Sequence, residues 1–136
     1  MKPDIWGPHA WIFLHSITLE YPDNPSDIDK SNMSNFIRTV GEVLPCQKCR
    51  ENFKKHIDEH PLTDTVLLSK KNLVKWLIDV HNSVNLMNNK KTVSYEDALR
   101  NMLNMYDGTQ KNWMFIYISI ALVIISVLVY LFNIFR

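Results

Sequence analysis

Residues 69–85, SKKNLVKWLIDVHNSVN, decide the fold class. Leu73, Trp76, Leu77, Val80 and Val84 recur at spacings of three and four, the period of one helix face, and Ser69 stands where a helix cap belongs. A strand would alternate every second residue, and no stretch of the chain does so convincingly. The same spacing predicts helices on either side. Upstream, Gly7-Pro8 opens a helix with Pro8 at the favoured first position, and Ala10, Trp11, Leu14, Ile17 and Tyr21 form its stripe before Pro22. Pro25-Ser26-Asp27 opens a second, with Met33, Phe36, Ile37, Val40 and Leu44 on its buried face. Pro45 begins a short third helix carrying Cys46, Cys49, Phe53 and Ile57. Downstream, Ser94 with Asp97 reads as a capping box for a last helix through Ala98, Leu99, Met102 and Leu103, ended by Gly108. The expectation is an all-α fold, a four-helix bundle with a short fifth helix.

The remaining apolar residues are concentrated in one place. Residues 113–135, WMFIYISIALVIISVLVYLFNIF, contain no charge, and as a helix would reach about 34 Å against a hydrocarbon core of about 30 Å. Trp113 and Tyr117 suit an interfacial belt. A buried helix this apolar all round would be hard for the rest of the chain to cover. The organisation expected is therefore a soluble domain over 1–108 and a C-terminal transmembrane helix over 113–135, read as a tail anchor because residues 1–11 lack the marks of a signal peptide. Arg100 and Lys111 before the span, against Arg136 after it, favour the domain on the cytosolic side. Lys and Arg total 15 and Asp and Glu 14, so there is no broad basic face and no nucleic-acid partner is expected.

The chain has two cysteines, set as Cys46-Gln47-Lys48-Cys49. At a helix start, the unpaired N–H groups and the dipole stabilise a thiolate, and Lys48 and Arg50 push the same way. A reversible disulfide for redox work is the leading reading. A rival is zinc, since Cys46, Cys49, His56 and His60 spell C-x2-C-x6-H-x3-H, although the gap of six is shorter than the usual finger loop of about 12. That alternative would make the chain a tail-anchored, zinc-stabilised interaction module without catalysis. Two buried structural cysteines are the third reading. A thioredoxin-type frame would need βαβ units, which are not seen, so redox work on an all-α frame calls for a cofactor as electron acceptor. The helix of residues 69–85 offers a surface for one: His81, Asn82 and Asn85 make a polar strip beside Trp76, Val80 and Val84, and Lys90 and Lys91 follow where a pyrophosphate could be met. The bland reading of the same strip is a half-buried structural histidine with solvent-facing amides.

Three motifs stand in order: Trp6-Gly7-Pro8-His9-Ala10-Trp11-Ile12-Phe13-Leu14-His15 with Tyr21-Pro22, then Pro45-Cys46-Gln47-Lys48-Cys49, then Trp76-Leu77 with His81-Asn82-Ser83-Val84-Asn85. Together they closely resemble the Erv/ALR family of FAD-linked sulfhydryl oxidases, over about Trp6 to Tyr106. The resemblance implies a thiol oxidase that forms disulfide bonds in partner proteins, passing electrons through Cys46 and Cys49 and FAD to O2 with release of H2O2. By the same resemblance Cys46 is the outer, attacked sulfur and Cys49 the inner one. Gly7, His9, Trp11, His15 and Tyr21 belong to the first FAD-contacting segment, His81, Asn82, Asn85 and Lys90 to the second, and Trp76 to the wall of the cofactor site; no metal is implied. It further implies a homodimer.

The sequence departs from the family pattern in places. Ile78 and the Ser94-Tyr95 region stand where many members carry a second, structural cysteine pair. Asn88-Asn89-Lys90 replaces the common Leu-Gly-Lys, and Pro8 a basic residue. With no further cysteine pair to shuttle electrons, a separate thiol-bearing protein, thioredoxin-like or a C-x-x-C relay, is the expected donor. Such short forms look like those of large DNA viruses, which make disulfides at cytosol-facing assembly sites, so a virion or a host internal membrane is the expected location. The excess of Lys over Arg, 11 to 4, fits an AT-rich genome of that kind.

Overall fold

A computed structural model describes residues 1–106 and 113–135, and all regular structure among them is helical. The elements are α1 (Pro3–Leu19), α2 (Asp27–Val43), α3 (Gln47–Glu59), a 3-10 turn (Val66–Leu68), α4 (Lys70–Met87), α5 (Tyr95–Tyr106) and α6 (Trp113–Ile134). Met1–Met102 form one compact unit and Leu103–Arg136 a second. The expected break at Gly108 and the flanking charges Lys111 and Arg136 lie outside the described residues.

The caps fall largely where the sequence puts them. The Ser26 hydroxyl accepts from Asp29 N–H while the Asp29 carboxylate accepts from Ser26 N–H, a reciprocal box that satisfies two orphan donors of α2. Ser69 caps α4 by accepting from Asn72 N–H, and Ser94 accepts from Asp97 N–H ahead of α5. α1 departs from expectation. It begins at Pro3, more than a turn before Pro8, which sits inside the helix. Pro3 takes the pre-organised first-turn position, and Pro8 forfeits only one bond near the helix start, on an exposed face.

The core gathers Leu14 and Tyr21 from α1, Met33 and Ile37 from α2, Phe53 from α3, Leu67 from the 3-10 turn, and Leu73, Trp76, Leu77 and Val80 from α4. α4 is the central element, since Leu73, Leu77 and Val80 have no exposed surface, each burial favouring the fold by about 1.5–3 kcal/mol. Two polar contacts tie the 61–70 segment to the end of α1: the Tyr21 hydroxyl donates to Leu67 C=O at 3.1 Å, and Lys70 N–H to Pro22 C=O at 3.2 Å. α2 and α3 approach closely at Gly41, where a Cβ would lie 2.9 Å from Phe53 Cδ1. Ile78 is 4% exposed, so hydrocarbon fills its place on the buried side of α4. Of the expected α5 stripe Met102 is buried and Leu103 is exposed.

In the second unit, Ile116–Ile134 is long and apolar enough to cross a membrane, and none of it is buried. All the described side chains from Ile116 to Phe135 are exposed.

Candidate functional site

Pro45 cannot donate a backbone hydrogen bond, and α3 starts two residues after it. Cys46 is therefore the cap of α3, and its sulfur accepts from Cys49 N–H at 3.3 Å. Cys46 and Cys49 are joined as a disulfide, their Cα atoms 5.1 Å apart, and both are half-buried. The turn leading into the pair is pinned at one carbonyl. Leu44 C=O accepts from Cys46 N–H at 2.8 Å and from Arg50 Nη1 at 2.6 Å. The arrangement holds a partly accessible sulfur at a helix N-terminus, which is what thiol–disulfide exchange requires.

A second group assembles where α1 meets α4. His15 Nε2 and His81 Nδ1 are hydrogen-bonded at 3.0 Å. The Trp11 indole stacks on the His81 ring, centroids 3.9 Å apart and planes within 4°. Burial lowers the His15 pKa to about 4. His81 is likewise lowered to about 4, chiefly by burial and then by the charges of His15 and Lys90. Both rings are neutral at pH 7, so the group offers stacking faces and ring-edge hydrogen bonds without net charge. That is the donor set for a planar, neutral heterocycle. Two observations on the same helix, α1, point the same way. Trp6 Nε1 is buried and finds no partner among the described residues, and a Cβ on Gly7 would meet nothing within 4 Å. A helical glycine costs about 1 kcal/mol, and no packing contact at Gly7 accounts for it. These residues fit the FAD that the motifs imply.

The other expected residues take different stations. His9 is exposed on α1, and Asn85 is half-buried on the His81 face of α4. Asn82 is engaged with backbone: its amide donates to Val93 C=O and its carbonyl accepts from Val93 N–H, both at 2.9 Å. It thereby fastens the 88–94 segment, whose turn is completed by Lys90 N–H donating to Asn85 C=O at 2.8 Å and by Asn89 at a φ of 55°, the left-handed region that asparagine tolerates. The Lys90 side chain is exposed. Tyr21 and Trp76 are core residues with their polar ends used, Tyr21 by Leu67 C=O and Trp76 Nε1 by His60 C=O at 2.8 Å.

His56 and His60 do not join the cysteines around a common point. His56 is buried with Nδ1 bonded to the Ser83 hydroxyl and 3.6 Å from Glu59, and no group of three metal-binding side chains comes together among the described residues. The Ser83 partnership and the Arg50 clamp went unread in the sequence; serine on a helix and arginine on a polar face carry no periodic signal.

The Erv1 / Alr family model matches residues 8–105. The probable FAD-linked sulfhydryl oxidase R368 of Acanthamoeba polyphaga mimivirus is 43% identical over 119 residues, covering 85% of this chain and 83% of that protein. The putative FAD-linked sulfhydryl oxidase 096R of Invertebrate iridescent virus 3 is 30% identical, covering 79% and 72%. Among solved structures, the FAD binding domain of Erv1 from Saccharomyces cerevisiae superposes with a TM-score of 0.66 at 29% identity, covering 71% of this chain and 89% of that one.

Proposed function

The chain belongs to the Erv1 / Alr family, and on that premise we propose that Cys46 and Cys49 are the working pair of its thiol oxidase chemistry. The protein is a FAD-linked sulfhydryl oxidase: it converts thiols of partner proteins to disulfides with O2 as final acceptor. The observation that carries the assignment of the pair is the disulfide at the N-terminus of α3, with the Cys46 sulfur as helix cap.

The chain's own residues perform the exchange. A partner thiolate attacks Cys46 Sγ, a partner–Cys46 bond forms, and Cys49 leaves with the electron pair as a thiolate. The partner's second thiolate then attacks the partner sulfur of that bond, and Cys46 leaves as a thiolate. The partner is oxidised by two electrons, and the two cysteines hold them. Bound FAD supplies the two-electron acceptor that O2 restores, with H2O2 as product. Trp11, His15 and His81 would hold it by stacking and by neutral ring-edge hydrogen bonds, with Gly7 and His9 beside them on α1. Asn85 would contact it from α4 and Lys90 would neutralise its phosphates. Asn82 would serve through Val93 by fixing the loop that carries Lys90, and Tyr21 and Trp76 by supporting α1 and α4 from the core.

The donor is a separate thiol-bearing protein, thioredoxin-like or a C-x-x-C relay; that Cys46 and Cys49 are the two cysteines of this sequence supports it. A homodimer is supported by α1, which keeps Ile5, Ile12 and Phe13 exposed at 70%, 40% and 60% on the side away from its core stripe. The oxidase domain spans 1–108 and faces the cytosol, held by the 113–135 helix to a viral or host internal membrane; the apolar span supports the anchor and the flanking charges its orientation.

Purification of the full chain in detergent tests this reading. Yellow protein with flavin absorbance, dithiol-dependent oxygen uptake, and loss of uptake in Cys49→Ser are expected. Colourless protein carrying zinc would overturn it.

A further inference from the structure

α1, α2 and α5 each carry an acid in the first turn, as the helix dipole favours. α3 carries Lys48 and Arg50 there and no acid. α4 also begins with lysines, but its Lys70 lies 3.6 Å from Asp23. No acid within ion-pair distance offsets Arg50 among the described residues, and its side chain is held in place. Nη1 donates to Leu44 C=O at 2.6 Å, and its backbone N–H donates to Cys46 C=O at 3.1 Å. The residue thus grips the chain on both sides of Pro45 and keeps a cation at the end of α3 where the dipole is also positive. Cations placed against a helix dipole destabilise the resting helix, and local rules are broken this way at functional sites. An anion on Cys46 would reverse the sign of both effects.

Resting on the exchange chemistry above, we infer that Arg50 is a positioning residue that makes Cys46 the better leaving thiolate, and so drives release of the oxidised partner. In the second exchange step the bond from the partner sulfur to Cys46 breaks, the partner's own disulfide forms, and the electron pair departs on Cys46. A leaving thiol of lower pKa departs faster. Arg50 acts by fixing the Leu44-Pro45-Cys46 turn, so that the Cys46 sulfur stays on Cys49 N–H. The charged neighbours of this turn along the sequence are Glu42 and Lys48, both exposed, and Glu51, which accepts from Gln47. None of them touches the Leu44 carbonyl in the way Arg50 does.

The test uses the full chain in detergent, reduced and then alkylated with iodoacetamide across pH, the two cysteines being followed separately by peptide mass spectrometry. Arg50→Gln is expected to move the Cys46 profile to higher pH and to cut its thiolate fraction at pH 7 about two- to fivefold, the range of a charge at a helix end. The partner–Cys46 adduct should accumulate during turnover of a dithiol peptide. Arg50→Lys, which keeps the charge, should recover most of the Cys46 profile, and Lys48→Gln should move it less than Arg50→Gln. A Cys46 profile unchanged in Arg50→Gln, or moved equally by Lys48→Gln, would overturn the inference. Alkylation does not require flavin, so failure here is distinct from failure of the oxidase reading.

Discussion

Lowering the pH from 7.5 to 5 should destabilise the first unit through the paired histidines, by an amount set by their burial. In the unfolded chain His15 and His81 titrate near 6.5, and in the folded unit near 4. Each therefore binds fewer protons when folded, so its contribution is fully present above 6.5 and is lost as pH falls toward 4. At pH 5 the solution is 1.5 units below the unfolded value, which at 1.36 kcal/mol per unit is about 2 kcal/mol for one fully buried ring. His15 is 6% exposed and takes that value, while the more open His81 takes about half, giving about 3 kcal/mol together. For a unit of about 100 residues this lowers Tm by roughly 12–24 °C. Near-ultraviolet circular dichroism of the flavin-free full chain in detergent, melted at each pH, reads the change. His56, also lowered by burial, tilts the slope the same way, so the comparison with His81→Gln isolates the pair. A parent midpoint moving less than about 4 °C, or a slope unchanged in His81→Gln, would refute the argument.

Gly41→Ala places a Cβ 2.9 Å from Phe53 Cδ1, and overpacking of this kind should cost about 1–3 kcal/mol; a chemical-denaturation midpoint equal to the parent's would show that Phe53 yields freely. Asn82→Ala removes both bonds to Val93, so limited proteolysis should cut the 88–94 segment faster and FAD should bind more weakly, with little change in the cysteine profiles. His81→Ala should lower Tm chiefly when FAD is present, because a ligand at a thousandfold excess over its Kd adds roughly 4 kcal/mol to the folded state; equal midpoints with and without FAD in the parent would contradict that.

The helices were legible because each buries one stripe, and α4 shows why. Leu73, Trp76, Leu77 and Val80 are all buried, as their spacing requires. The 3-10 turn at Val66–Leu68 was not legible, since three residues are too few to show a period and Leu67 is buried by tertiary packing alone. The α1 start was misplaced because Pro8 resembles a first-turn proline as closely as Pro3 does. In the site, the cysteine pair was visible from local spacing. The meeting of His15 with His81 spans 66 residues and leaves no local trace, and only the family resemblance nominated both. Residue type also could not separate a cofactor wall from a core. Trp76 and Tyr21 are aromatic either way, and their commitment to His60 and Leu67 carbonyls appears only in three dimensions.

Ile78 has a consequence for how the enzyme lives with its surroundings. Where a staple of sulfur would have to be formed before the bundle was secure, hydrocarbon closes the same gap without any oxidant. Both cysteines of the sequence are joined to each other at the start of α3, so the packing around Ile78 depends on no sulfur bond.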